Sequence, residues 1–230
     1  MPNVRSEPVV LVHGWGGSFA TTWQAPGWEA LLQDAGRTVI GVDLLGHGTA
    51  PKPHDPADYA DLTTRIVDAI PATGQIDAIG FSMGAMTLLE LAIRSPERFG
   101  RLVVAGIGNN VFVDDPERRR VIIDAVEGRE TDDNVGRLFS QYAQQPGNDP
   151  AALAAVMKRK GERLTAERLT AVTCPVLVAL GDKDFAGPAD PLVEALPDAR
   201  LVILKGVDHF ATPESFAFID AALEFLDAVP

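Results

Sequence analysis

Six short aliphatic runs, near residues 9–13, 38–42, 76–81, 101–105, 175–180 and 200–204, constrain this chain more than any other feature. Each is rich in Val, Ile or Leu at successive positions, which predicts strands buried on both faces, as in a parallel sheet. Helix-forming stretches fall between them, near 27–35, 57–71, 83–95, 188–195 and 213–228. Across 58–70, for instance, Leu62, Ile66, Val67 and Ile70 recur at the helical period. Such alternation predicts an α/β fold of three layers, a mostly parallel sheet with helices on both faces.

The third run ends in Gly80-Phe81-Ser82-Met83-Gly84 and passes straight into the helix former Ala85-Met86-Thr87-Leu88-Leu89-Glu90-Leu91-Ala92. A serine hydroxyl is a poor nucleophile unless the backbone presents it and a neighbouring base takes its proton. Glycines on either side of Ser82 lack the Cβ atoms that would collide in a sharp strand-to-helix turn. Ser82 can therefore sit strained, with its Oγ exposed. The helix N-terminus behind it favours negative charge at that point.

Three more runs end in residues that such a serine needs. Val9-Val10-Leu11-Val12 leads into His13-Gly14-Trp15-Gly16-Gly17, and the run before Gly181 leads into Asp182-Lys183-Asp184. The run at 200–204 leads into Gly206-Val207-Asp208-His209-Phe210. With these motifs in this order the chain resembles the α/β-hydrolase fold family over nearly its whole length. The resemblance implies a Ser-Asp-His catalytic triad, with Ser82 as nucleophile and His209 as general base. Asp182 and Asp184 both lie in the acid loop, and the family pattern, three residues beyond the glycine, selects Asp184. Backbone N–H groups of Met83 and Trp15 are the implied oxyanion hole. The family usually carries an N-terminal hairpin ahead of the His-Gly strand. Only eight residues precede that strand here, so about six strands without the hairpin are expected.

The remaining histidines have simpler readings. His13 shapes the His-Gly turn, His47 belongs to a Gly46-His47-Gly48 loop like one in the family, and His54 sits among prolines. Trp15, Phe81, Phe185 and Phe210 are candidates for substrate binding, with Met83 and Met86 nearby in sequence. Phe81 and Met86 fit an ordinary core equally well. Neither a nucleotide-binding glycine pattern nor a metal-ligand spacing is present, so no cofactor and no metal are expected.

Between the run ending near Ala105 and the one beginning at Pro175 lie about seventy residues without a strand-like run. Stretches 115–126, 132–144 and 150–160 read as helices, with Asp132 and Asp149 as N-caps and Gly128 and Gly161 as stops. By the resemblance these form a helical cap. The expected organisation is a single domain, core about 1–107 and 172–230, cap about 108–171. Phe112, Phe139, Tyr142 and Met157 in the cap face either the pocket or the cap's own interior.

The chain has 230 residues and a formal charge of −12, which disfavours nucleic acid and anionic membrane surfaces as partners. No apolar run approaches the roughly 20 residues of a membrane span, and Pro2 and Pro8 leave no room for a secretory apolar stretch. Cys174 is the single cysteine and reads as a buried small hydrophobe. A cytoplasmic serine hydrolase acting on a small or medium carboxylic ester is the expectation. Cleavage of a C–C bond or thioester, acyl transfer, lyase chemistry or ligand reception on the same triad are the alternatives.

Overall fold

The structure, a computed structural model, describes residues 6–229. Its sheet contains β1 (Val9–Val12), β2 (Val39–Val42), β3 (Ile76–Phe81), β4 (Phe99–Ala105), β5 (Val176–Gly181) and β6 (Ala199–Leu204). The spatial order is β2-β1-β3-β4-β5-β6, and every neighbouring pair is parallel. Among the described residues no strand precedes β1, so β2 forms one edge.

Successive residues of the central strands enter opposite cores. Val10, Val12, Ala78, Leu102, Val104, Val176 and Val178 pack on one side, with Leu88 and Leu89 of α3 (Met83–Arg94) and Leu192 of α8 (Asp190–Ala195). Val9, Leu11, Ile79, Phe81, Val103, Leu177 and Ala179 pack on the other side. There they meet Trp28 and Leu32 of α1 (Trp28–Asp34) and Phe218 and Ala222 of α9 (Phe216–Phe225). Burial of both faces is what the unbroken aliphatic runs require. Cys174 is buried in the first of these cores, and its burial pushes the thiol up to about 11.

Between β4 and β5 run four helices: α4 (Pro116–Val126), α5 (Asn134–Ala143), α6 (Pro150–Lys158) and the short α7 (Ala166–Leu169). Asp115 caps α4 by accepting from the Arg118 N–H, and Asp149 caps α6 by accepting from Ala151 and Ala152. Gly128, at φ 90°, follows the end of α4 as a stop. Val126, Ala143, Leu153 and Ala154 give this segment a small core of its own.

Several local expectations need correction. The N-cap of α5 is Asp133, which accepts from Gly136, and not Asp132. Helix α6 ends at Lys158, so Gly161 stops nothing. The continuous helix expected over 57–71 is a 3-10 turn, Pro56–Tyr59, followed by α2 (Thr64–Ala69). Asp61 causes the break, because its carboxylate takes the Thr63 N–H at 2.9 Å and the Thr63 hydroxyl at 2.7 Å. The segment 213–228 likewise divides into a 3-10 turn, Thr212–Glu214, and α9. A π-helical turn at Ala20–Gln24 and 3-10 turns at Pro96–Arg98 and Asn109–Val111 complete the elements among the described residues, with α8 (Asp190–Ala195). No helix among the described residues is long and apolar enough to cross a membrane.

Candidate active site

Ser82 follows β3 directly, at φ 52° and ψ −114°, in the left-handed region that non-glycine residues rarely occupy. The strain is held from both sides. Its N–H donates to Ala105 O at 2.7 Å, and its carbonyl accepts from Met86 in the first turn of α3. A Cβ on Gly80 would lie 2.7 Å from the backbone of Ala85, and one on Gly84 would lie 2.3 Å from Val12 O. Both glycines are thus needed for close backbone approach, and Gly84 for approach to β1 as well as for the turn.

The loops after β5 and β6 bring two partners to this hydroxyl. Ser82 Oγ lies 3.0 Å from His209 Nε2, and His209 Nδ1 lies 2.9 and 3.0 Å from the two Asp184 oxygens. With the imidazole proton on Nδ1, the ring donates to Asp184 and accepts from the Ser82 hydroxyl. The Asp184 side chain has no exposed surface and also accepts from the Ala186 N–H at 2.8 Å. Asp182 turns elsewhere, accepting from the Gly206 N–H at 2.7 Å. Asp208 accepts from the Ala211 N–H. A hydroxyl bonded to an imidazole that is oriented by a buried carboxylate is an arrangement able to generate an alkoxide nucleophile.

The Met83 N–H stands at the first position of α3, where no helical carbonyl precedes it. Among the described residues no carbonyl or side chain accepts from the Trp15 N–H either. The loop carrying Trp15 is fixed from beneath. His13, fully buried, accepts the Leu44 N–H on Nε2 and donates from Nδ1 to Gly14 O at 2.7 Å. Its burial lowers the imidazole pKa. His47 packs 5.1 Å from that ring, and burial with the neighbouring His13 brings it down to about 3. Both are structural, neutral histidines. Asp43 clamps the two loops together through the Phe19 and Thr49 N–H groups, each at 2.7 Å. Burial raises its pKa, but these bonds outweigh that and leave the carboxyl below its ordinary value. His54, largely exposed, pairs with Asp149.

A cavity of about 60 Å³ opens beside Ser82 and His209. Trp15, Phe81, Phe139 and Tyr142 line it together with Phe210, Pro213 and Glu214.

The sequence model of the Alpha/beta hydrolase family matches residues 9–227. This chain belongs to that family. Its relatives are hydrolases that act on different substrates. The hydrolase is 26% identical over 232 residues to the pimeloyl-[acyl-carrier protein] methyl ester esterase of Neisseria meningitidis serogroup B (strain MC58), covering 87% of this chain and 85% of the relative. It is 36% identical over 106 residues to the 2-hydroxymuconate semialdehyde hydrolase of Pseudomonas sp. (strain CF600), a match spanning 43% of this chain and 36% of that relative. Among solved structures, a hydrolase from Pseudomonas aeruginosa PA01 superposes with a TM-score of 0.76 at 22% identity, covering 96% of this chain and 90% of the other. That likeness is one of fold.

Within this alpha/beta hydrolase the aromatic candidates separate. Trp15, Phe81 and Phe210 stand on the cavity wall. Phe185 lies outside it, 45% exposed, with its ring 4.4 Å from that of His209. Phe139 and Tyr142, both from α5, face the cavity, whereas Phe112 and Met157, partly buried, pack against the apolar cores. Met86 also packs against the core. The wall residues Thr21, Thr22, Pro213 and Glu214 had no signal in the sequence. They reach the site through a π-helical turn and a 3-10 turn that only the folded chain defines.

Proposed function

We propose that this alpha/beta hydrolase is a serine carboxylesterase for small esters. The observation that carries the reading is the continuous hydrogen-bond chain Ser82–His209–Asp184 at the wall of a small cavity. Ser82 Oγ attacks the ester carbonyl while His209 takes its proton, and the Met83 and Trp15 N–H groups receive the developing oxyanion. Collapse of the tetrahedral adduct breaks the C–O bond, and His209 returns the proton to the departing alcohol. A water then attacks the acyl-serine as His209 takes its proton, and collapse of that adduct breaks the acyl C–Oγ bond, releases the acid and returns the proton from His209 to Ser82 Oγ.

The helical segment of about residues 108–171 acts in this reading as a cap. Three contacts support that role: the Trp15 indole donates to Leu153 O at 3.1 Å, Asn148 donates to Gly16 O at 2.8 Å, and α5 supplies two aromatic walls. The pimeloyl methyl ester relative favours an ester as the substrate class, and the limited cavity volume favours a short acyl or alkyl group.

The test is hydrolysis of nitrophenyl esters of increasing acyl length by wild type and by Ser82→Ala. Turnover should be greatest for short chains and should fall by about 10⁶ in the variant. Equal turnover in a Ser82→Ala preparation free of other esterases would remove Ser82 from the mechanism.

A further inference from the structure

One carboxylate on the cavity wall takes no part in the proposed chemistry. Glu214 closes the 3-10 turn Thr212–Glu214 in the loop that follows His209, and its side chain is exposed. Among the described residues no lysine or arginine lines this cavity, and Glu214 has no salt-bridge partner. The turn that carries it is pinned, since the Trp28 indole donates to Pro213 O at 2.8 Å. The backbone that carries Glu214 is therefore held in place, and among the described residues no basic side chain pairs with its carboxylate.

Around it stands a wall of aromatic rings. Trp15 and Phe139 lie 5.1 Å apart, Phe139 and Phe210 6.2 Å, and Tyr142 and Phe210 5.4 Å. The negative faces of such rings attract a cation, most strongly where water is displaced. Glu214 is also close enough to Tyr142 for its charge to add to burial in raising the phenol pKa. The rings and the carboxylate thus line one cavity, and a cation seated over a ring face there would be attracted by both.

We infer that this cavity selects esters carrying an alkylammonium group and discriminates against esters bearing a carboxylate. The inference rests on the esterase reading for its turnover assay but not for its binding assay. In it, the ester carbonyl sits at Ser82, and the cationic end lies against Tyr142, Phe210 and Glu214. A carboxylate in that place would meet Glu214 with no basic side chain on the wall to offset the repulsion.

The test compares three acetate esters at low salt: acetylcholine, its neutral isostere neohexyl acetate, and an acetate ester of a hydroxyalkyl carboxylate of similar length. The kcat/KM of the cationic ester should exceed that of the neutral isostere by about tenfold, with the anionic ester lowest. Glu214→Gln should bring the cationic-to-neutral ratio down toward one, and Glu214→Lys should raise the anionic ester above the cationic one. A wild-type ratio of one, or a ratio unchanged by Glu214→Gln, overturns the inference. If wild type cleaves none of the three, the esterase reading fails, and calorimetry with tetramethylammonium decides the site separately. Binding that weakens in Glu214→Gln upholds the cation site, whereas no binding, or equal binding by both proteins, removes it.

Discussion

Asp182 and Asp184 share one loop, and the fold gives each a different partner. Asp182 holds the Gly206 N–H, while the buried Asp184 holds the His209 ring through Nδ1. Replacing Asp184 by asparagine removes the charge that stabilises an imidazolium and lets the amide favour the wrong ring tautomer. Asp184→Asn should therefore lower kcat for a short nitrophenyl ester by about 10⁴, by analogy with triads in which the acid was so changed. Asp182→Asn should change it by less than about tenfold, since that carboxylate meets only the Gly206 N–H and the exposed Lys205 ammonium, neither of which touches the His209 ring. The reverse ranking would exchange the two assignments. At this scale the strained turn at Ser82 was legible from its flanking glycines, whereas the pairing of Ser82 with His209 came from the family resemblance. Choosing Asp184 needed the family pattern, since both aspartates follow the same strand. Glu214 was not legible at all: what matters about it is its nearness to Tyr142, which is distant in sequence and arrives with α5.

Among elements, the junction of β3 with α3 is where sequence and geometry are most tightly bound. Gly84 lies in the first turn of α3, and an added Cβ would meet Val12 O at 2.3 Å and His13 O at 2.5 Å. These are backbone atoms at the end of β1 and cannot swing aside, so α3 would have to move away from the loop that carries Trp15. Gly84→Ala should destabilise the protein by about 1–3 kcal/mol, the usual penalty for overpacking, and also lower kcat. Gly128 is a useful comparison, because it has open space around it but a φ of 90°. Gly128→Ala should cost about 1 kcal/mol through backbone strain, with kcat unaltered. Equal kcat losses in both variants would show that stability, and not placement of the junction, controls turnover. Elements with long-range packing were readable from apolar spacing, and those decided by a single polar side chain were not. The apolar period across 58–70 is real, yet Asp61 diverts two hydrogen-bonding groups of Thr63 and splits the helix. In α5, by contrast, Asp133 instead of Asp132 caps the helix, a choice between adjacent identical residues that only backbone direction makes.

For the whole molecule, the aliphatic runs implied a parallel sheet covered on both faces. The order β2-β1-β3-β4-β5-β6 depends on which strands meet in space, which no local run of residues reports. A consequence of that packing is two histidines whose burial disfavours the charged form, His13 and His47, with His47 lowered to about 3 and its Nε2 buried without a hydrogen-bond partner among the described residues. An unfolded chain protonates these rings near pH 6.5, whereas burial lowers that point for both in the native protein, to about 3 for His47. Below pH 6.5 the unfolded state therefore binds more protons, and stability must fall as pH falls. The slope for one such group approaches about 1.4 kcal/mol per pH unit, so His47 alone should remove about 2 kcal/mol between pH 6.5 and 5. Asp43 acts with the same sign at lower pH, its folded pKa being depressed, so its contribution is present above the ordinary carboxylate range and lost in more acid solution. Urea unfolding of wild type and His47→Gln at pH 7 and pH 5 reads the histidine and its coupling to His13, because titrating groups remote from this pair contribute alike to both proteins. The variant begins less stable if the ring's packing is lost, but its loss between the two pH values should be smaller by about 2 kcal/mol. Parallel declines in the two proteins would mean that His47 takes up its proton while the fold is intact, and that the buried loop beneath Trp15 opens to water far more readily than its packing implies.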